Sequence, residues 1–556
     1  MNRVLMPAVV LVCFAAAVQA APAPGRGAIA SADPRATAAG LLMLEQGGNA
    51  FDAAVAVAST LAVVEPAGSG LGGGGFFLTY EAEAERYRFI DAREVAPAAA
   101  TADMYLDPQG VPVKGASVSG PLAAGIPGEP AGLVHLAEHY GTLPLKTLLQ
   151  PAIAYAEKGY RIGPRALLGL RFRRDTVARS PAMAAVFLRD GELPEVDDVI
   201  VQPDLAATLR RLARSGFDGF YDGPTADRLV AGVREAGGIW TRADLRNYRV
   251  IERQPLVTSY AGMRVITAPP PSSGGVVLAQ LFNFLSGYPL TELEPAQRKH
   301  VLIEGMRRAY RDRAEYLGDP GFVEMPLRRL LAPDYMAAQR ATVSMERATP
   351  SSELPAVFDD GSAGTQTTHF SVLDAAGNRV AATITVNTWY GAAFMPPGTG
   401  VVLNNEMDDF SIKPGVPNEF DLIGNEANAV APGKRPLSSM SPTFLEGPRG
   451  VAIVGTPGGS RIITMVLRAA LAWLEGSSAA EMAALPRFHH QYLPDVVNYE
   501  AAAIPPAEAA VLKSLGHTLQ PSRRSFGNMN IVTWDAASGA VEAATDPRGE
   551  GEGSVY

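Results

Sequence analysis

Two adjacent threonines, Thr367 and Thr368, followed by His369, stand where a polar stretch gives way to alternating apolar and polar residues. A threonine hydroxyl is a poor nucleophile unless a neighbouring base takes its proton. A freed α-amine has a pKa of about 7.7–8.0 against about 10.4 for lysine, so much more of it is neutral near pH 7. A cut between Gln366 and Thr367 would therefore join nucleophile and base in one residue. The plainer reading of Thr-Thr at a strand start is ordinary β-propensity. Other chemistry has less support. The sequence contains no G-x-S-x-G turn and no H-E-x-x-H pair of zinc ligands. His489 and His490 are adjacent, and on one strand they point to opposite faces, which favours structural hydrogen bonds over a metal site. Gly70, Gly72 and Gly75 have dinucleotide-loop spacing but precede a strand instead of opening a helix, so close backbone packing explains them better.

The elements around Thr367 follow from pattern. Thr367 to Leu373 and Val380 to Asn387 alternate about a turn at Ala376-Gly377-Asn378, which predicts a β-hairpin. Thr367 then falls opposite Val386, one residue either way, and Thr385 and Asn387 share a face. Ala348 to Gln366 has linker composition, the right neighbour for a cleavage point. Upstream, Arg35 to Val64 reads as two helices broken at Gly47-Gly48-Asn49. Phe76 to Tyr80 and Tyr87 to Asp91 read as strands, and Leu143 to Met345 as mostly helical.

Composition bounds the class. With 556 residues, 47% hydrophobic and 19% charged, the chain can bury a large core. Its 48 basic and 57 acidic side chains give a net charge of −9, and no basic run suggests nucleic-acid binding. Arg3, the apolar run Val4 to Val18 and Val18-Gln19-Ala20 form a signal-peptide pattern over residues 1–20, the alternative being a retained anchor. Removing it takes away Cys13, the one cysteine, and with it any disulfide, thiol nucleophile or thiolate metal site. An exported protein, periplasmic or secreted and with no retained membrane anchor, is expected.

A series of motifs carries a resemblance. Gln366-Thr367-Thr368-His369-Phe370-Ser371-Val372 resembles the maturation site of the γ-glutamyltranspeptidase family. Leu403-Asn404-Asn405-Glu406-Met407-Asp408-Asp409, Arg435-Pro436-Leu437-Ser438-Ser439-Met440-Ser441 and Pro457-Gly458-Gly459-Ser460-Arg461 resemble its later motifs. Gln46-Gly47-Gly48-Asn49-Ala50, Leu71 to Phe76, Asp91-Ala92-Arg93-Glu94, Pro269 to Gly275 and Tyr316 to Pro320 continue the likeness upstream, in order.

The resemblance implies an α+β fold, a four-layer αββα sandwich of the N-terminal-nucleophile hydrolase type. It implies self-cleavage between Gln366 and Thr367 into a large subunit, 21–366, and a small one, 367–556, interlocked as a heterodimer. Thr367 would attack a γ-glutamyl amide such as that of glutathione, and water, an amino acid or a peptide would take the acyl group. Thr385 would support the nucleophile, and Gly458 and Gly459 would form the oxyanion hole, where a bare backbone N–H can approach. Arg93, Ser438 and Ser439 would meet the substrate carboxylate, and Asn387, Glu406 and Asp409 its ammonium. No metal or cofactor is required. The lid segment Lys413 to Asn425 carries Phe420 where bacterial relatives often have a tyrosine, so the expected lid closes by packing, without a hydroxyl latch. Two alternatives remain: a glutaryl or cephalosporin acylase of the same fold, and a non-catalytic amino-acid binder.

Overall fold

The computed structural model describes residues 23–354 and 367–556. The signal-peptide reading and Gln366 lie outside the described residues.

Two all-antiparallel sheets form the centre. The first is built from β1 (Ala28–Ser31), β2 (Gly74–Glu81), β3 (Arg86–Ala92), β4 (Ile251–Arg253), β7 (Thr368–Leu373), β8 (Arg379–Thr385) and β13 (Glu552–Val555). Its order is β13-β1-β7-β8-β2-β3-β4. The second contains β5 (Leu256–Tyr260), β6 (Met263–Thr267), β9 (Thr443–Gly447), β10 (Gly450–Val454), β11 (Asn530–Asp535) and β12 (Val541–Thr545), in the order β12-β11-β10-β9-β6-β5. Segments before and after position 367 share both sheets: β1 lies between β13 and β7 in the first, and β6 pairs with β9 in the second.

The period-two pattern divides the first sheet between two cores. Phe77, Ile90, Phe370, Val372 and Ile384 pack under a helical layer that includes α1 (Pro34–Glu45), α2 (Ala50–Val64) and α3 (Glu129–His139). Phe76, Leu78, Phe89 and Ala381 face the other way, toward Phe444, Ile453 and Val532 of the second sheet. The same second core takes in helices α5 (Gly274–Leu285), α6 (Pro295–Tyr316) and α7 (Arg461–Leu474), with α4 (Pro164–Val177) on the first side. The four layers are thus helix, sheet, sheet and helix, the expected αββα sandwich.

Local signals account for the elements near the site. Asn49 caps α2 through the Phe51 and Asp52 amides, and Asp52 returns the bond to the Asn49 N–H. The hairpin pairs Leu373 with Arg379 and Thr368 with Ile384, a register that carries Thr367 opposite Thr385, one place from Val386. The glycine run packs as closely as the sequence suggests: a Cβ on Gly73 would lie 1.9 Å from the Thr385 carbonyl oxygen. The mostly helical middle region holds an exception, β4 to β6, which contributes strands to both sheets. Among the described residues no helix is long and apolar enough to cross a membrane.

Candidate active site

Strands β7 and β8 are buried along their whole lengths, so their polar residues need internal partners. His369 Nδ1 meets Thr383 Oγ1 at 2.9 Å and Nε2 meets Ser371 Oγ at 3.2 Å, and burial lowers its pKa to about 3. It is a neutral structural histidine. Beside it, Thr367 is 4% exposed and its Oγ1 lies 3.4 Å from Thr385 Oγ1. The Asn387 amide donates to that Thr385 oxygen at 2.8 Å, which leaves the Thr385 hydroxyl proton available toward Thr367.

Asn387 follows immediately, in the left-handed region at φ 77°, a conformation that asparagine tolerates better than most residues. Its Nδ2 donates to the Asn405 carbonyl at 2.9 Å. The carbonyl end of the amide is thereby left as an acceptor, the polarity an ammonium requires.

Arg93 lies at the centre of the charged side of the pocket, 1% exposed. Its Nη2 donates to Asp409 Oδ2 at 2.5 Å, its Nε to the Pro436 carbonyl at 3.3 Å, and its Nη1 lies 2.8 Å from Glu406 Oε2. The Glu406 contact is an ion pair by distance, with neither carboxylate oxygen aligned for a hydrogen bond. Burial opposes the Arg93 charge, but attraction to Glu406 and Asp409 prevails and raises its pKa. Burial raises Glu94 to about 7 against the pull of Arg93, and raises Glu406 well above the carboxylate range.

Ser438 and Ser439 line the same pocket. The Pro-Pro-Pro-Ser-Ser motif holds them: Ser273 donates through N and Oγ to the Ser438 carbonyl, at 2.8 and 2.7 Å. Sequence reasoning missed Arg313, which lines the pocket and donates to Ser439 Oγ at 3.2 Å and Ser273 Oγ at 3.0 Å. It has no carboxylate in ion-pair contact among the described residues, and burial lowers its pKa to about 10.

Gly458 and Gly459, at φ 143° and 57°, lead into the N-terminus of α7. Neither amide N–H donates to an acceptor among the described residues, so both remain available for a developing oxyanion. Phe420 is 5% exposed and covers Gly459, where a Cβ would lie 2.6 Å from its ring. The lid is also tied by its backbone: Gln491 Nε2 donates to the Phe420 and Asp421 carbonyls at 3.1 and 3.0 Å. These residues line a small, partly open pocket of about 20 Å³, with Phe420 on one side and Arg93 on the other.

The histidines among the described residues make hydrogen bonds outside the pocket. His489 bonds to Thr464 at 3.0 Å and Gln491 at 2.9 Å, whereas His490 bonds to Asp495 at 3.0 Å. His300, Glu304 and His517 cluster elsewhere, but His300 bonds directly to His517 at 2.8 Å and Glu304 pairs with Arg307 and Arg308.

Fold and pocket together define a sandwich of the N-terminal-nucleophile hydrolase class. A family model described as Gamma-glutamyltranspeptidase matches residues 36–556. The chain is 46% identical over 508 residues to a glutathione hydrolase proenzyme of Pseudomonas sp. (strain A14), covering 90% of this chain and 88% of that one. Among solved structures, a cephalosporin acylase from Bacillus halodurans superposes with a TM-score of 0.83 at 27% identity, over 99% of each chain. The Helicobacter pylori gamma-glutamyltranspeptidase structure gives 0.57 at 39% identity, over 58% of this chain and 94% of that one. The chain belongs to the gamma-glutamyltranspeptidase family.

Proposed function

We propose that this protein is a γ-glutamyl transferase and hydrolase that acts on glutathione and related γ-glutamyl compounds through an ester on Thr367. The observation that carries the reading is Arg93 held between Glu406 and Asp409 in one pocket with Thr367, Thr385 and Asn387. A γ-glutamyl head has an α-carboxylate and an α-ammonium. On binding, Arg93 turns its fork to the carboxylate, with Ser438 and Ser439 as further donors. The freed acids and Asn387 Oδ1 receive the ammonium.

Cleavage between Gln366 and Thr367 yields fragments 21–366 and 367–556, which remain interlocked through the shared sheets. The liberated Thr367 amine takes the proton from its own Oγ, and Oγ attacks the γ-carbonyl carbon. The negative oxygen of the tetrahedral intermediate is met by the Gly458 and Gly459 amides. Collapse breaks the C–N bond, and the amine returns the proton to the leaving nitrogen. Water, an amino acid or a peptide then attacks the ester, and Thr367 Oγ leaves with a proton. The N-terminal pattern supports export and removal of residues 1–20, which makes the enzyme periplasmic or secreted.

The likeness to a cephalosporin acylase favours a second reading, cleavage of glutaryl amides. A glutaryl group lacks the ammonium and would leave Asp409, once parted from Arg93, without a cation in the pocket. Hydrolysis of γ-glutamyl and glutaryl anilides by the purified enzyme separates the two. Turnover of the γ-glutamyl compound is expected, and turnover of the glutaryl compound alone would overturn the assignment.

A further inference from the structure

A separate pocket of about 280 Å³ opens between the loop before α6, the first turns of α6 and the C-terminal half of α7. It shares no lining residue with the pocket around Thr367. Helix α7 reaches both. Ile462, at its start, lines the first pocket, and Arg468, Leu471 and Ala472 line the second, roughly two turns further along at about 3.6 residues per turn. The walls are apolar, formed by Leu290, Leu293, Leu302, Leu471, Leu485 and Phe488. Leu290 to Leu302 precede position 367 and Arg468 to Phe488 follow it, so both proposed fragments build the site.

One charge in this pocket has no counterpart. Arg468 makes no ion pair and no hydrogen bond among the described residues, and its Nη1 is buried. Its guanidinium rests on the Phe488 ring, 4.8 Å from the centroid, a contact that occupies one face and leaves the edge donors free. The other charged groups of the lining are committed. Arg298 pairs with Glu475, and Lys299 pairs with Glu508 at 2.5 Å. Glu500, the acid whose attraction reaches Arg468, is held by Arg548 at 2.9 Å and by the Arg487 amide at 3.0 Å. Burial, followed by repulsion from Arg487 and Arg298, lowers the Arg468 pKa to about 10. A buried charged donor without a partner is rare and costly, because nothing replaces the water it gave up. A carboxylate seated in the pocket would replace it.

The lining sets the chemistry of the ligand. A single uncompensated cation calls for one negative charge, and a guanidinium edge matches the two oxygens of a carboxylate. Leucine walls call for a hydrocarbon body. The volume lies just below the roughly 300–1,000 Å³ typical of small-molecule sites, so that body is short. We infer that this pocket binds a small aliphatic monocarboxylate, with its carboxylate on Arg468 and its chain against the leucines. The site is independent of the γ-glutamyl chemistry.

The probes are octanoate, its neutral isostere octanamide, and acetate, each titrated calorimetrically into the purified enzyme. Octanoate is expected to bind with a submillimolar Kd. Octanamide, without the charge, and acetate, without the chain, should each bind at least about tenfold more weakly. Arg468→Met should weaken octanoate binding at least about tenfold, and Arg468→Lys should retain part of it. Methionine removes an unpaired buried charge, so the denaturant midpoint of Arg468→Met should equal or exceed that of the wild type. A midpoint clearly below wild type would show Arg468 already satisfied within the fold and would overturn the inference. Equal affinity for octanoate and octanamide overturns the carboxylate assignment, and that comparison needs no variant. Acetate bound as tightly as octanoate marks a bare-anion site and overturns the aliphatic class. Undiminished octanoate binding by Arg468→Met places the ligand elsewhere, and the absence of saturable octanoate binding by the wild type overturns the site outright. Calorimetry reads binding without turnover, so failure of the γ-glutamyl reading leaves this test intact.

Discussion

Replacing Asp409 with asparagine tests how the pocket reads its substrate. The side chain keeps its shape but loses the charge that pairs with Arg93 at 2.5 Å, and at 13% exposure it is the more accessible of the two facing acids. A hydrogen bond to a charged group is worth about 1.5–3 kcal/mol, or about 10- to 150-fold in binding at 1.36 kcal/mol per decade. The unbound variant also loses the Arg93 pair that substrate must open, and this offset pulls the net effect toward the lower end. The KM for a γ-glutamyl anilide should rise about tenfold or more with kcat little changed, the signature of lost ground-state binding. A glutaryl anilide has no ammonium to lose, so its KM should hold steady or fall as Arg93 is released. The assay is anilide release over a substrate series for both compounds in both enzymes. An Asp409→Asn enzyme whose KM ratio between the two compounds stays within twofold of wild type would refute the ammonium assignment.

Thr367→Ala should yield one uncut, inactive chain, and two bands from that variant on a denaturing gel would contradict self-processing. Gly459→Ala adds a Cβ 2.6 Å from the Phe420 ring at a left-handed φ of 57°, and it should lower kcat at least about tenfold through the displaced lid and strained amide. Wild-type kcat in that variant would remove Gly459 from the oxyanion site. Glu129 is fully buried, with the Gly70 amide as its one donor among the described residues at 3.3 Å, and burial raises its pKa to about 8 from an ordinary 4.5. A raised carboxylate pKa contributes stability that is fully present below pH 4.5 and lost as pH rises through 8. Glu129→Gln should therefore gain on wild type between pH 5 and 8 by a few kcal/mol, read as a widening difference in denaturant midpoint. A difference that stays constant with pH would contradict a buried titrating acid at that position.

The surroundings of Thr367 were legible because their signals are local. The alternation from Thr367 to Asn387 and the turn at Gly377 are contained within about twenty residues, and they fix the hairpin to within one place of its register. The glycine run beside β2 was legible for a related reason, since four consecutive glycines before a strand imply backbones in close contact. Arg313 was not legible. It stands in the run Arg311-Asp312-Arg313, which resembles a solvated helix face, and its hydrogen-bond partners Ser273 and Ser439 are distant in the chain. Strands β4 to β6 were obscured by their brevity, three to five residues each, inside a helix-rich region. The charged pocket lies between these cases. The resemblance identified Arg93, Glu406 and Asp409, but their direct pairing across 2.5–2.8 Å is a tertiary fact that no local pattern carries.

The most direct test of the account is intact-mass and terminal sequencing of the purified, active enzyme. The account predicts a fragment that begins Thr367-Thr368-His369 and ends at Tyr556, accompanied by one that ends at Gln366. Full activity in a preparation that contains only the uncut chain would contradict it.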